Sequence, residues 1–312
     1  MNSPADSYKA TWNARSATLA DGMLAVDGSA DEAVLALTGD YTAGQVRAAL
    51  ELGANDQVFE IGCGVGRIGQ RIAAEVAGWQ GFDIADNMAA LAAARVASMP
   101  GASAHAVSGA ALPQLACASM DKGYCVAVFI HMDKEDMNLY LREVARVLRP
   151  GGLFYFDTWN LAHPVGWQRF AYEVDEVGRS DPSRRKDVAR NQFCVLEEVR
   201  LYAHHAGLEV VFEHADSPWL QVVLSKPSPH ASGAAADVAA RLSVQRHAIA
   251  YSPRWTELFA DACRVLIEGV HPQTMLDRWA TLPSDEPELP MFIAWLSAIW
   301  HRSPNQWPAR PA

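Results

Sequence analysis

The chain has 312 residues, half of them apolar and a fifth charged, which suits a globular protein of one large domain with an appendage, or of two domains. A net charge of −10 argues against non-specific affinity for nucleic-acid backbones or anionic membranes. Five scattered cysteines, no CxxC or HxxxH pair, no apolar leader and no apolar run of roughly 20 residues predict a cytoplasmic chain without a disulfide framework, metal site or membrane span.

Residues 1–45 read as an N-terminal cap of short helices and loops, with scattered apolar residues such as Trp12, Leu19, Met23 and Val34. Strand and helix patterns then alternate. Val46–Leu52 reads as a helix, Val58–Ile61 as a buried strand ending in glycines, and Ile68–Ala77 as the next helix. Gly81–Ile84 reads as a strand, Asn87–Ser98 as an alanine-rich helix, and Tyr124–Phe129 as another strand. Met137–Leu148 is a predicted helix stopped by Pro150-Gly151-Gly152, and Leu153–Thr158 a strand. Such alternation predicts right-handed crossovers and a mostly parallel sheet covered on both faces.

The stretch 159–193 interrupts the alternation and reads as an insert; its basic run Arg184-Arg185-Lys186 has the look of an exposed loop. Val195–His205 is a predicted helix with Gly207 at its left-handed cap. Leu208–His214 and Leu220–Leu224 form a predicted antiparallel hairpin. Lys226-Pro227-Ser228-Pro229 marks a boundary, and 230–312 reads as a helical extension. Apolar residues there recur at helical spacing, and Trp279, Trp295 and Trp300 are expected in its core.

The most informative segment is Val58-Phe59-Glu60-Ile61-Gly62-Cys63-Gly64-Val65-Gly66. A strand delivers the chain to a thin glycine bend, and the following helix N-terminus offers free N–H groups to an anionic ligand part. Glu60 is placed to accept from an ammonium group. Asp83 ends the next strand, where a carboxylate can accept from both hydroxyls of a ribose. Asn87 and Met88 follow, with Met88 placed to pack on an adenine face. Gly64-Val65-Gly66-Arg67-Ile68-Gly69 also fits GxGxxG, and Asp83 falls 19 residues after Gly64, so a nicotinamide-dependent oxidoreductase remains open on these residues alone.

The form E-x-G-C-G-x-G from Glu60, the segment Asp121–His131, and Leu141-Arg142-Glu143-Val144-Ala145-Arg146-Val147-Leu148-Arg149-Pro150-Gly151-Gly152 together resemble the class I S-adenosylmethionine (SAM)-dependent methyltransferases of small-molecule type. The resemblance covers about 45–227. It implies a Rossmann-like, mostly parallel seven-stranded α/β sheet with an antiparallel terminal hairpin, here over 46–229, and SAM as cofactor. It places the cofactor against Glu60, Gly62, Cys63, Gly64, Gly66, Asp83, Ile84 and Met88. The segment after the third strand, Ser108–Leu112, has no acid for the adenine amino group, so the backbone of Gly109 and Ala110 is expected there. Cys125 and Val126 would lie under the methionine portion.

Methyl transfer needs positioning and, for a hydroxyl acceptor, a base. His131, after the fourth strand, is the first expected base and His163 the second. Asp157, Trp159 and Asn160 are expected in the acceptor pocket. Residues 1–45 and the insert are expected to form its lid, with Tyr8, Trp12, Trp167, Phe170 and Tyr172 as an aromatic lining. The expected acceptor is a small molecule, a secondary metabolite or glycoconjugate methylated at oxygen. A SAM-binding protein without turnover is the alternative from another class. Residues 230–312 are left open as a homodimer surface, a lid or a docking module.

Overall fold

A computed structural model describes residues 4–175, 190–228 and 233–307. The basic run 184–186 lies outside the described residues. Among the described residues, no helix is long and apolar enough to cross a membrane.

Three helices open the chain: α1 (Pro4–Ala14), α2 (Leu19–Asp27) and α3 (Glu32–Leu50). Thr18 and Asp21 form a reciprocal capping box at the start of α2, and Asp31 caps α3 through the Ala33 N–H. The helix expected over 46–52 is therefore the end of a longer one, and the expected boundary at 45/46 falls inside it. Weak helix formers in its first half, Thr38, Gly39 and Thr42, obscure the periodicity that tertiary packing overrides.

The sheet comprises β1 (Gln57–Ile61), β2 (Gly78–Asp83), β3 (Ala102–Ala106), β4 (Met120–Cys125), β5 (Leu148–Asn160), β6 (Phe193–Cys194), β7 (Glu209–His214) and β8 (Trp219–Ser225). Its order is β3-β2-β1-β4-β5-β8-β7, with β6 paired to the end of β5. The pairs β1–β2, β1–β4, β2–β3 and β4–β5 are parallel, whereas β8 runs antiparallel to β5 and to β7. The sheet thus has eight strands rather than seven; β6 has only two residues, too few for a periodic signal. The helix expected over 68–77 shrinks to α4 (Gly69–Ile72), because the chain must turn early to start β2 at Gly78. The strand expected at 124–129 ends at Cys125, and Phe129–His131 is a single 3₁₀ turn.

Two apolar cores cover the two faces. One packs α6 (Lys134–Val147) and α8 (Leu196–Ala206), through Tyr140, Leu141, Val144 and Val199, onto Phe59, Phe154 and Phe156. The other packs α3 and α5 (Asp86–Val96) onto Val58, Trp79, Tyr124 and Tyr155. The insert contains α7 (Pro164–Glu173).

The C-terminal region folds as α9 (Ala234–Val244), α10 (Arg246–Ile249), α11 (Pro253–Glu268), α12 (Pro272–Trp279) and α13 (Leu289–Arg302). It is not a detached appendage. Trp255, Leu258, Trp279, Phe292 and Trp300 share one core with Trp159, Trp219 and Ile130 of the sheet region. Gln221 of β8 stitches the two together: its amide donates to the Ile249 carbonyl at 2.9 Å and accepts from the Tyr251 N–H at 2.7 Å.

Candidate active site

Strands β2 and β4 flank β1, so the chain leaves β1 in one direction and returns through β4 in the other. A crevice opens at such a switch point beyond the strand ends. A cavity of about 400 Å³ occupies it, within the range of small-ligand sites.

The glycine bend after β1 forms one wall. Gly62 and Gly64 have positive φ, 71° and 51°. A Cβ on Gly62 would stand 2.3 Å from Val128 Cγ2, so the bend has room only for backbone. Glu60, one residue from the end of β1, lies opposite Tyr124 and is 3% exposed. The Tyr124 hydroxyl donates to its Oε2 at 2.8 Å and accepts from the Trp79 indole N–H at 3.0 Å. Burial pushes the Glu60 carboxyl up to about 8, against the Tyr124 hydrogen bond and the nearby Arg67 charge.

Asp83 ends β2. Its Oδ2 accepts from the Gly64 N–H and its Oδ1 from the Ala85 N–H, both at 2.9 Å. It thereby braces the bend while still lining the cavity. Burial raises it to about 6, with the backbone donors pulling the other way. A third carboxylate, Asp157 of β5, is 1% exposed. It accepts from the Ala127 N–H at 2.6 Å and the Tyr251 hydroxyl at 3.3 Å, and burial lifts it to about 7.

Of the expected cofactor residues, Glu60, Gly62, Cys63, Gly64, Asp83, Ile84, Met88, Gly109, Ala110 and Val126 line this cavity. Two do not: Gly66 supports the bend by packing on Ala92 of α5, and Cys125 points into the core beneath the sheet. Of the expected catalytic and acceptor residues, His131, Asp157 and Trp12 line it, with the His131 ring edge-on to Trp12 at 4.9 Å. Burial and the Arg15 charge depress His131 to about 4, which leaves it a neutral and weak base.

The remaining four expectations are corrected. His163 is the N-cap of α7, accepting from the Val165 N–H. Asn160 ties β5 to the turn before β8, donating to the carbonyls of Ala215 and Ser217. Trp159 stacks on Trp219 at 4.9 Å, inside the core. Trp167 is 57% exposed and packs on Phe170, so the aromatic residues of α7 form a cluster outside the cavity rather than its lining.

The structure also brings in residues that sequence reasoning passed over. Arg67 reaches from the bend to the Thr42 hydroxyl of α3 at 3.1 Å. Asp27, at the end of α2, accepts from Thr38, and its backbone carbonyl accepts from the Trp295 indole. Asp136 of α6 lines the end near Gly109 and Tyr140, which puts a carboxylate where Ser108–Leu112 has none. Tyr251, Trp255, Phe259, Phe292 and Trp295 of the C-terminal region close the other end, with Trp219 of β8. Arg67 is the one local sequence signal among these, since it directly follows the last glycine of the bend.

These features fit SAM. The cradle excludes side chains, the buried Glu60 and Asp83 suit an ammonium and a ribose, and Met88, which lines the same cavity, suits an adenine face. Bound there, SAM would supply a methyl group on sulfonium, and the protein would hold and orient it.

Residues 58–152 match the family model of a methyltransferase domain. No curated protein matches the chain. Solved structures with a similar fold include a putative methyltransferase from Bacillus halodurans, 12% identical over 60% of this chain and 99% of that one, TM-score 0.49. The magnesium protoporphyrin IX methyltransferase of Synechocystis, with bound S-adenosylhomocysteine, is 16% identical over 61% and 82%, TM-score 0.46. The geranyl diphosphate C-methyltransferase of Streptomyces coelicolor is 11% identical over 60% and 77%, TM-score 0.46. Likenesses this distant transfer no substrate. The matched segment, a methyltransferase domain by that model, holds the glycine bend, Asp83, β4 and the start of β5.

Proposed function

We propose that this methyltransferase carries the methyl group of SAM to an oxygen of a small molecule, a secondary metabolite or glycoconjugate. The observation that carries the reading is the continuity of the cavity. It runs from the glycine bend, past Asp83 and Glu60, to an apolar chamber walled by Trp219, Tyr251, Trp255 and Phe259. A nucleoside at the bend would therefore present its reactive end to a mostly apolar chamber large enough for a small acceptor and too narrow for a folded macromolecule.

The protein's own contribution is placement. Gly62 and Gly64 admit the cofactor backbone-close, Asp83 both braces the bend and faces the ribose position, and Glu60 faces the ammonium position, oriented by Tyr124. The dehydrogenase alternative loses its ground with the family match of the whole segment 58–152. Binding without turnover is separated by experiment. The full chain, incubated with methyl-labelled SAM and extract of the producing cell, is expected to yield a labelled small molecule in which mass spectrometry finds an O-methyl group. Label recovered only in macromolecules, or in no product, would overturn the proposal.

A further inference from the structure

The chamber beyond the glycine bend has the β5–β8 pair as its floor. Trp159 faces Trp219 across this antiparallel pair, and Asp157 faces Gln221. Asp157 and Trp219 are thus diagonal neighbours on one face of the sheet, both lining the cavity. The surroundings hold Asp157 firmly. Ala127 donates to Oδ1 from a left-handed backbone conformation, φ 57°, rare for alanine. Tyr251 donates to Oδ2 and is itself fixed through its N–H by Gln221, whose amide also donates to the Tyr155 hydroxyl at 2.7 Å.

Trp219 supplies the complementary group. Its indole N–H is buried without a hydrogen-bond partner among the described residues. A buried donor in that state calls for an acceptor atom. The two side chains therefore make opposite demands: the carboxylate takes a proton, and the indole gives one. A hydroxyl meets both at a single oxygen, since it donates once and accepts twice. An ammonium only donates, and a carboxylate or phosphate only accepts. Charge points the same way against anions. Among the described residues, the cavity presents the acids Asp27, Glu60, Asp83, Asp136 and Asp157, with Arg67 as the guanidinium. The walls suit a flat apolar body: Tyr251 stacks on Trp255 at 3.8 Å and Trp255 on Phe259 at 4.7 Å, one continuous aromatic ladder.

We infer that Asp157 is the catalytic base, and that the acceptor is an uncharged hydroxyl compound with a flat apolar body, its oxygen held between Asp157 and Trp219. This rests on the methyl-transfer reading above. The acceptor oxygen bonds to the methyl carbon while its proton passes to the Asp157 carboxylate. The methyl–sulfur bond breaks with its electron pair left on sulfur, so one positive charge is consumed and one proton is gained by the carboxylate. Burial raises Asp157 to about 7, with the Ala127 N–H, the Tyr251 hydroxyl and the Arg67 charge pulling the other way, a value suited to a base at neutral pH. His131, at about 4, is the weaker candidate in the same cavity.

The test uses the full chain saturated with S-adenosylhomocysteine and three probes sharing one ring system: 2-naphthol, 2-naphthoate and 2-naphthylmethylammonium. Binding is read by tryptophan fluorescence quenching. The naphthol is expected to bind about tenfold or more tighter than either charged probe. Asp157→Asn, which keeps the shape and the Ala127 hydrogen bond, and Trp219→Phe, which removes the N–H donor together with part of the ring system, should each weaken it about fivefold or more. Calorimetric affinity for S-adenosylhomocysteine should stay within about twofold in both, which also reports that they fold. A charged probe binding tightest, no naphthol binding, or naphthol binding untouched by both variants would overturn the inference while leaving the methyltransferase intact. Absence of S-adenosylhomocysteine binding in the unaltered chain would instead overturn the methyltransferase reading.

Discussion

Three buried carboxyls, Glu60 of β1, Asp83 of β2 and Asp157 of β5, line the cavity, and burial raises all three, to about 8, 6 and 7. Each folded value lies above its unfolded one, so each group stabilises the fold most when protonated. Their stabilisation is complete below about pH 4 and is lost as pH rises through about 8. Thermal melts of the ligand-free chain should show the melting temperature falling by several degrees between about pH 5.5 and 8.5, with a shallower fall in Glu60→Gln. A melting temperature that rises over that window would contradict the burial of these groups. At the same scale, Gly62→Ala puts a Cβ 2.3 Å from Val128 Cγ2 on a backbone with φ 71°. A loss of about 2 kcal/mol in urea denaturation is expected, together with loss of S-adenosylhomocysteine binding in calorimetry. Retained binding would mean that the bend is not the cofactor cradle.

Among the elements, the parallel strands and their helices were legible because local periodicity and glycine punctuation report them directly. Val58–Gly66 carries both the strand and the bend, and Gly207 marked its helix end by a left-handed cap, φ 78°. The roles of the other elements depend on contacts distant in sequence, and no local pattern encodes those. Trp295 read as a core residue of a separate extension, yet it lines the cavity and donates to Asp27, 268 positions away. Trp167 and Phe170 looked like a lid lining, but α7 packs Phe170 on Phe193 instead, with Trp167 against Phe170. The opening helices also do more than was expected of a lid over the acceptor. Met23 packs with Val65 and Met88, and Lys9 pairs with Asp86 at 2.7 Å, which closes α1 and α2 over the Met88 end of the cavity. Deleting residues 1–20 should therefore weaken S-adenosylhomocysteine binding about tenfold or more, as well as turnover. Full affinity in the truncated chain would place these helices over the acceptor alone.

For the whole molecule, the decisive arrangement is a cavity, mostly apolar but carrying five carboxyls among the described residues, built jointly by the strand ends, the opening helices and the C-terminal helices. The excess of carboxylates suits a ligand that carries positive charge and disfavours one that carries two phosphates, which is what separates a sulfonium nucleoside from a nicotinamide dinucleotide at the same glycine bend. Parallel calorimetric titrations of the full chain with S-adenosylhomocysteine and with NAD put that distinction to the test. Saturable binding of S-adenosylhomocysteine at a single site, with no heat from NAD, is the predicted result. Saturable binding of NAD with none of S-adenosylhomocysteine would contradict it.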